Sequence, residues 1–291
     1  MIYFLTVNYY SADLVKNLLV SLTSVTSQPE YQVLVINNSP DDTAVNDLSA
    51  DFSMPITVIN AGKNLGFAAG CNLGIEYIYK LNSQAVIWLI NPDTTLENIA
   101  IPYILECFAQ QPNLAILGTR IRDSNGNIWF NNGTFNPWLG SLKHGDAKIF
   151  AQNGEKDFHI KTVNSRWVSG CSLIINLSNF NHCPKFDEGY FLYYEDNDFC
   201  ERYYQQGYDI AVTKAVLVNH AVSAISGKNS YLKFLHATYS KLYFLKQHGT
   251  LLALVINLIY MLFLIVKLWP KNPQAALGRW QGLQNFIKTQ I

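Results

Sequence analysis

Apolar residues in the first 120 positions fall into short unbroken runs separated by stretches with helical spacing. Runs over 2–8, 32–36, 56–59, 85–90 and 114–119 have the length and residue type of buried strands. Between them, Leu14, Leu18, Leu19 and Leu22 repeat at helical spacing over 13–22. Further helices are expected up to about residue 49 and over 97–109. Strands alternating with helices predict a parallel α/β sheet. In such sheets ligands bind beyond the carboxyl ends of the strands. The loops at 8–9, 37–41, 60–70 and 91–94 are therefore the places to look for chemistry.

Beyond residue 120 the pattern weakens, and hairpins and loops covering a pocket are expected through 166. A strand-like stretch over 167–176 contains Gly170, which predicts a bulge or a close ligand approach. The stretch 188–207 then runs from an aromatic segment into Glu195, Asp196, Asn197 and Asp198. Phe199 with Tyr203, and Cys200 with Tyr204, are spaced for a helix that stops at Gly207. Acids at a helix start either cap it or sit as an ionised base facing a pocket, because the helix dipole favours negative charge there. Strand-like segments over 210–213 and 216–219 lead to His220, which in isolation reads as a satisfied polar group. An amphipathic helix is expected over 230–248. The apolar stretch that follows, over 250–266, is about 17 residues long, the lower limit for a membrane span. Lys241 and Lys246 precede it, and Lys267, Lys271 and Arg279 follow it, so flanking charge assigns no orientation. A helix lying on the membrane, or packed in a homodimer, fits as well as a span.

Composition narrows the partners. Formal net charge is zero, which argues against nucleic acid. Charged residues are 14% of the chain where about a quarter is usual. Five scattered cysteines, with no CxxC pair, read as a reducing compartment rather than a disulfide framework or zinc site. The glycine loop over 62–74 places Gly66, Gly70 and Gly74 four apart. It is neither GxGxxG nor a phosphate-binding GxxxxGK[ST] loop, which argues against a nicotinamide-dependent oxidoreductase. Its glycines either approach a phosphate or pack a helix closely on the sheet. Asn91-Pro92-Asp93 is good turn chemistry. An acid just past a central strand is also placed to hold a hard divalent cation.

Taken in order, VNYYSADLVKNLLVSL, VINNSPDD, NLGFAAGCNLGI, WLINPDTTLE, WVSGCSLIIN and FDEGYFLYYEDNDFCERYYQQGYDI resemble one family. It is that of the inverting family 2 glycosyltransferases, especially the rhamnosyltransferase-like members of bacterial polysaccharide assembly. The resemblance implies a GT-A fold over 1–249, a Rossmann-like nucleotide-binding sheet with a mixed acceptor-side half, followed by an apolar helical tail over 250–291. It implies that Asn8, Tyr9 and Asn37 hold the nucleotide, and that Asn64 and Gly66 form the donor loop. Asn91 and Asp93 match the metal motif, with Asp93 and His220 as ligands of Mg²⁺ or Mn²⁺. Asp196 matches the general base, Glu195 its neighbour in the acid pair, and Trp167 and Gly170 the acceptor-side wall. The implied reaction moves a sugar from dTDP-rhamnose or a UDP-sugar to a saccharide or lipid-linked acceptor at the cytoplasmic face of the membrane. Two positions depart from the pattern. Asn91 stands where an acid is usual, and Asn37-Asn38 stand where an acid commonly reads the base. The first departure leaves a catalytically degenerate scaffold as the alternative.

Overall fold

Four of the apolar runs form the parallel half of one large sheet. The computed structural model describes residues 1–25, 31–145, 150, 161–221 and 229–289; part of the weakly patterned stretch, at 146–149 and 151–160, lies outside them. Strands β1 (Ile2–Asn8), β2 (Tyr31–Asn37), β3 (Ile56–Asn60) and β4 (Val86–Ile90) lie side by side in the order β3-β2-β1-β4. β1, β2 and β4 are covered by helices, which is why their sequences are continuous rather than alternating. Helix α1 (Ala12–Val25), the short α2 (Leu48–Asp51) and α3 (Gly66–Leu81) make the connections.

The mixed half is built from β5 (Thr94–Leu96), α4 (Ala100–Gln110), β6 (Leu114–Asp123), β7 (Ile128–Phe130), the hairpin β8 (Gly133–Asn136) and β9 (Ser141–His144), β10 (Thr162–Asn164), β11 (Ser172–Asn176), α5 (Glu195–Gln205) and β12 (Asp209–His220). β11 inserts antiparallel between β4 and β6, and β12 runs parallel to β6. Trp88 anchors the junction: its ring stacks on Phe4 at 5.3 Å, and its Nε1 donates to Ser172 Oγ at 2.9 Å.

Three boundaries differ from the sequence pattern. Only Ser172–Asn176 of the 167–176 stretch is strand; Gly170 sits in the preceding turn, where the Ser172 amide bonds to the Ser169 carbonyl. The runs at 210–213 and 216–219 form one strand, β12, with irregular register between Val212 and Val216. α4 starts at Ala100 rather than 97, because the chain is still extended there: Thr94–Leu96 pair with β12, and the Glu97 amide continues that pairing to the Leu217 carbonyl.

Three helices close the chain: α6 (Ser230–His248), α7 (Leu251–Leu268) and α8 (Pro273–Lys288). Gly278 and Gly282 let α8 lie against the α6 backbone, where a Cβ would come within 2.3 Å of the Tyr231 carbonyl oxygen and 2.4 Å of the Leu235 one. Leu242, Ile265, Leu283 and Phe286 join the three helices in one apolar cluster. α7 buries only Ala253, Asn257, Met261 and Ile265, spaced four apart, and exposes most of its other apolar side chains.

Candidate active site

The carboxyl ends of β1, β2 and β3 are tied by a row of asparagines. Asn8, Asn37 and Asn60 are register partners across the three strands. Asn8 Nδ2 donates to Asn37 Oδ1 at 2.9 Å, and Asn37 Nδ2 donates to Asn60 Oδ1 at 2.9 Å. The Ser11 amide and hydroxyl donate to Asn8 Oδ1. Asn8 and Asn37 thus spend their side chains on each other and on the loop. The groups this edge offers to a ligand are the exposed rings of Tyr9 and Tyr10, which meet edge-on at 4.8 Å.

The glycine loop has a packing role. A Cβ on Gly74 would meet the Leu5 side chain at 2.3 Å, and one on Gly70 would meet Asn38 at 3.0 Å. Gly66 has φ +81° and lies under Phe191, whose carbonyl takes the Phe67 amide at 2.9 Å. Asn64 Oδ1 accepts the Gly66 amide at 2.9 Å. The first two amides of α3 are therefore used within the protein.

Phe191 belongs to the turn that aims the acids. Tyr193 and Tyr194 both have positive φ, 68° and 67°, a conformation side chains rarely adopt. The surroundings hold it: Ser240 Oγ donates to the Leu192 carbonyl at 2.9 Å, and Phe191 is pinned on α3. Asn72 of α3 braces the same loop from behind. Its amide donates to the Phe186 carbonyl and to Glu188 Oε1, both at 3.0 Å, and its oxygen accepts the Phe186 amide at 2.8 Å. The signal for Asn72 in the sequence was a polar residue on a buried helical face.

Glu195 and Asp196 occupy the first turn of α5 and have different environments. Asp196 Oδ2 accepts the Gly170 amide and Oδ1 the Asn197 amide, each at 2.8 Å. Burial pushes its carboxyl above the usual range, and these amides pull it back. Glu195 is more deeply buried, and Oε2 has no hydrogen-bond partner. Burial, and then the charge of Asp196, push its carboxyl well up. Burial raises both adjacent carboxyls but not equally: Glu195 goes well up toward the neutral acid, and the amides on Asp196 restrain its rise. Asp198 faces away: Arg202 Nε and His248 Nε2 lie 2.7 and 2.8 Å from its oxygens. Glu201 is likewise structural, held bidentate by Arg166 at 2.8 and 2.7 Å.

Asp93 and His220 meet across the end of the sheet. β5 pairs with β12 so that Thr94 lies opposite His220, and His220 Nε2 is 3.2 Å from Asp93 Oδ1. Both side chains are buried, yet Asp93 Oδ1 and His220 Nδ1 have no hydrogen-bond partner. A cleft of about 220 Å³ opens against them, bordered by Pro92, Thr94, Asn219 and Ala221. An orphaned carboxylate oxygen facing an imidazole nitrogen fits a divalent ion such as Mn²⁺. Among the described residues no third acid, cysteine or histidine completes a cage. The Asn91 amide donates to the Cys171 carbonyl at 3.0 Å. Cys171 bridges the two centres: burial raises its thiol, and the charges of Asp93 and Asp196 raise it further.

Trp167 and Gly170 separate in role. Trp167 is buried in the hairpin, with Nε1 donating to the Thr134 carbonyl at 3.1 Å and its ring against Gly133, Phe130 and His144. Gly170 faces Asp196: a Cβ there would lie 3.3 Å from Asp196 Cβ.

This arrangement has counterparts. Residues 5–168 match the family model described as Glycosyl transferase family 2. The chain belongs to that family. The low-salt glycan biosynthesis hexosyltransferase Agl10 of Haloferax volcanii is 27% identical over 96% of this chain and 90% of its own. The N-acetylglucosaminyl-diphospho-decaprenol L-rhamnosyltransferase of Mycobacterium tuberculosis is 25% identical over 74% of each chain. Among solved structures, the mannosyltransferase PcManGT from Pyrobaculum calidifontis, in complex with GDP-Man and Mn²⁺, aligns with TM-score 0.59 at 11% identity, over 100% of this chain and 88% of its own. GalNAc-T7 with UDP, GalNAc and Mn²⁺ aligns with TM-score 0.62 at 12% identity over 84% of this chain, which spans 47% of that structure. These likenesses establish the GT-A fold. The family 2 member described here is a glycosyltransferase of glycan biosynthesis.

Proposed function

We propose that the protein transfers a sugar, with inversion, from a nucleoside-diphosphate donor to a saccharide or lipid-linked acceptor. The observation that carries this is Asp196, a carboxylate with both oxygens oriented by amides and its neighbour Glu195 driven toward neutrality. Asp196 takes the proton from the acceptor hydroxyl as that oxygen attacks the sugar's anomeric carbon from the face opposite the leaving diphosphate. Gly170 keeps that carboxylate in place and leaves room beside it. Tyr9 stacks on the donor base, while Asn8 and Asn37 set the loop that carries it. Asn64 and Gly66 shape the donor loop, and Trp167 braces the acceptor-side wall from behind. Asp93 and His220, with the Asn91 amide as a further oxygen, would hold a divalent ion. Such an ion would offset the charge that grows on the leaving diphosphate. Likeness to the named rhamnosyltransferase supports rhamnose as the sugar; we take dTDP-rhamnose as the donor, with UDP-sugars as the runner-up.

We assign the enzyme to a membrane surface, a reading supported by the exposed apolar face of α7. Because α8 returns to pack on α6, both ends of α7 stay with the catalytic domain, which favours a helix lying in the interface over a span. The cytoplasmic face is the side we assign, and a homodimer is a second use for the same surface.

The test is Asp196→Asn. Transfer to a saccharide acceptor should fall about 10²- to 10⁴-fold, the usual contribution of a positioned general base. Nucleoside-diphosphate binding should hold, and the melting temperature should not fall. Near-normal turnover would remove the base assignment.

A further inference from the structure

The formal neutrality of the chain conceals a strict separation of charge. Eight of the 21 Lys and Arg residues lie beyond residue 220, and none of the 21 Asp and Glu residues does. α6, α7 and α8 therefore contain no carboxylate side chain with which to neutralise a buried cation. Two cations are nonetheless drawn inside. Arg279 of α8 lies 4.4 Å over the Phe234 ring, its Nη1 donates to the Met261 sulfur at 3.4 Å, and its Nε is buried without a partner. Lys241 of α6 is half-buried, with Nζ 5.9 Å from the centre of the Tyr260 ring. Both side chains thus reach the same turn of α7, at Tyr260 and Met261. Among the described residues neither forms an ion pair.

Even half-burying two like charges without a counter-ion carries a cost. Burial lowers both groups, and Arg279 lowers Lys241 further. The aromatic faces of Phe234 and Tyr260 offset part of the cost. The rest calls for an anion from outside the chain. Two features say what carries that anion. One is the long apolar face of α7 beside the pair, with Ile256, Ile259, Phe263 and Val266 exposed. The other is the catalytic turn. Arg279 lies close enough to the Tyr194 hydroxyl to act on its ionisation, as does Asp196, which Tyr194 precedes by two residues. Ser240, next to Lys241, holds Leu192 of the same turn.

We propose that Lys241 and Arg279 bind the diphosphate of a prenyl-diphosphate-linked acceptor, with the hydrocarbon chain along the exposed face of α7. This rests on the glycosyltransferase reading and names its acceptor site. Anchoring the phosphates there fixes the adjoining sugar, so that its hydroxyl is presented to Asp196 rather than left to find it. The exposed Lys267, Lys271 and Lys288 meet the anionic bilayer surface and are separate from this site.

The experiment is a titration of the full chain, without sugar donor, against farnesyl diphosphate and farnesol, read by tryptophan fluorescence. The wild type should bind the diphosphate at least about tenfold more tightly than the alcohol, as a charge-assisted site requires. In Lys241→Met/Arg279→Gln that preference should vanish. The variant should melt no lower than the wild type, since uncompensated charge has been removed. Phosphatidylglycerol vesicles should sediment both proteins equally. An unchanged preference in the variant overturns the proposal. So does loss of vesicle binding with farnesyl diphosphate binding retained, which would assign the pair to bilayer headgroups. A nucleoside-diphosphate thermal shift reports separately on the donor site. Its failure beside intact farnesyl diphosphate binding would count against the glycosyltransferase reading alone.

Discussion

Four acids within seven residues of α5 carry different loads, and their surroundings decide which. Glu195 and Asp196 have carboxyls raised by burial, so each costs stability once the unfolded chain ionises. Stability is complete below the unfolded carboxyl value, about 4.3 for Glu. It falls as pH rises from there through the raised folded value. Glu195→Gln removes the larger cost. That variant should melt above the wild type at pH 7, with the gap closing toward pH 4, in a series of thermal melts. Asp198 has a different part: it pairs with Arg202 in the interior and lies against His248 Nε2. Asp198→Ala should lose about 3–5 kcal/mol in a urea titration, the usual cost of breaking a buried pair. The sequence showed a carboxylate cluster at a helix start but could not sort its members, since Glu195 and Asp196 are told apart by their depth of burial and by which backbone amides reach them. One of those, the Gly170 amide, comes from 26 residues away.

Elements in this fold touch where side chains are absent. α3 sits close on β1 because Gly70 and Gly74 face Val7 and Leu5. The four-residue spacing that places them on one helical face was visible in the sequence. Gly66 differs from them in kind. Its φ of +81° and its contact with the Phe191 carbonyl couple the start of α3 to the turn before α5. Gly66→Ala should cost about 1–3 kcal/mol for the left-handed conformation and the clash. It should also slow transfer by moving Phe191 and with it Asp196, whereas Gly74→Ala should destabilise without that loss. Chemical unfolding and a transfer assay on the two variants separate these outcomes.

On the scale of the whole molecule, the three C-terminal helices form a layer whose inner side holds the turn before α5 and whose outer side is apolar. α7 is long and apolar enough to cross a membrane, with mean hydropathy 2.6. Its buried stripe is nonetheless tied to the domain, for Asn257 Nδ2 bonds the Leu139 carbonyl at 3.4 Å. Ile259→Lys on the exposed face should release the protein from vesicles and leave its melting temperature within about 1–2 °C, as exposed substitutions generally do. Unchanged sedimentation would point to burial of that face between protein copies.

The order of strands and helices, the parallel half of the sheet and the family were legible in the sequence, because unbroken apolar runs and glycine spacing are local properties of a chain buried on both sides. So was the carboxylate motif. The tertiary structure decided the rest. Asn8 and Asn37 became a lattice at the carboxyl ends of β1 and β2, Trp167 a brace, and Asn72 the support of the loop before α5. Asp93 and His220, more than a hundred residues apart, became neighbours. These roles depend on strand pairing across the switch at β11 and on backbone groups from distant segments, which residue spacing does not encode.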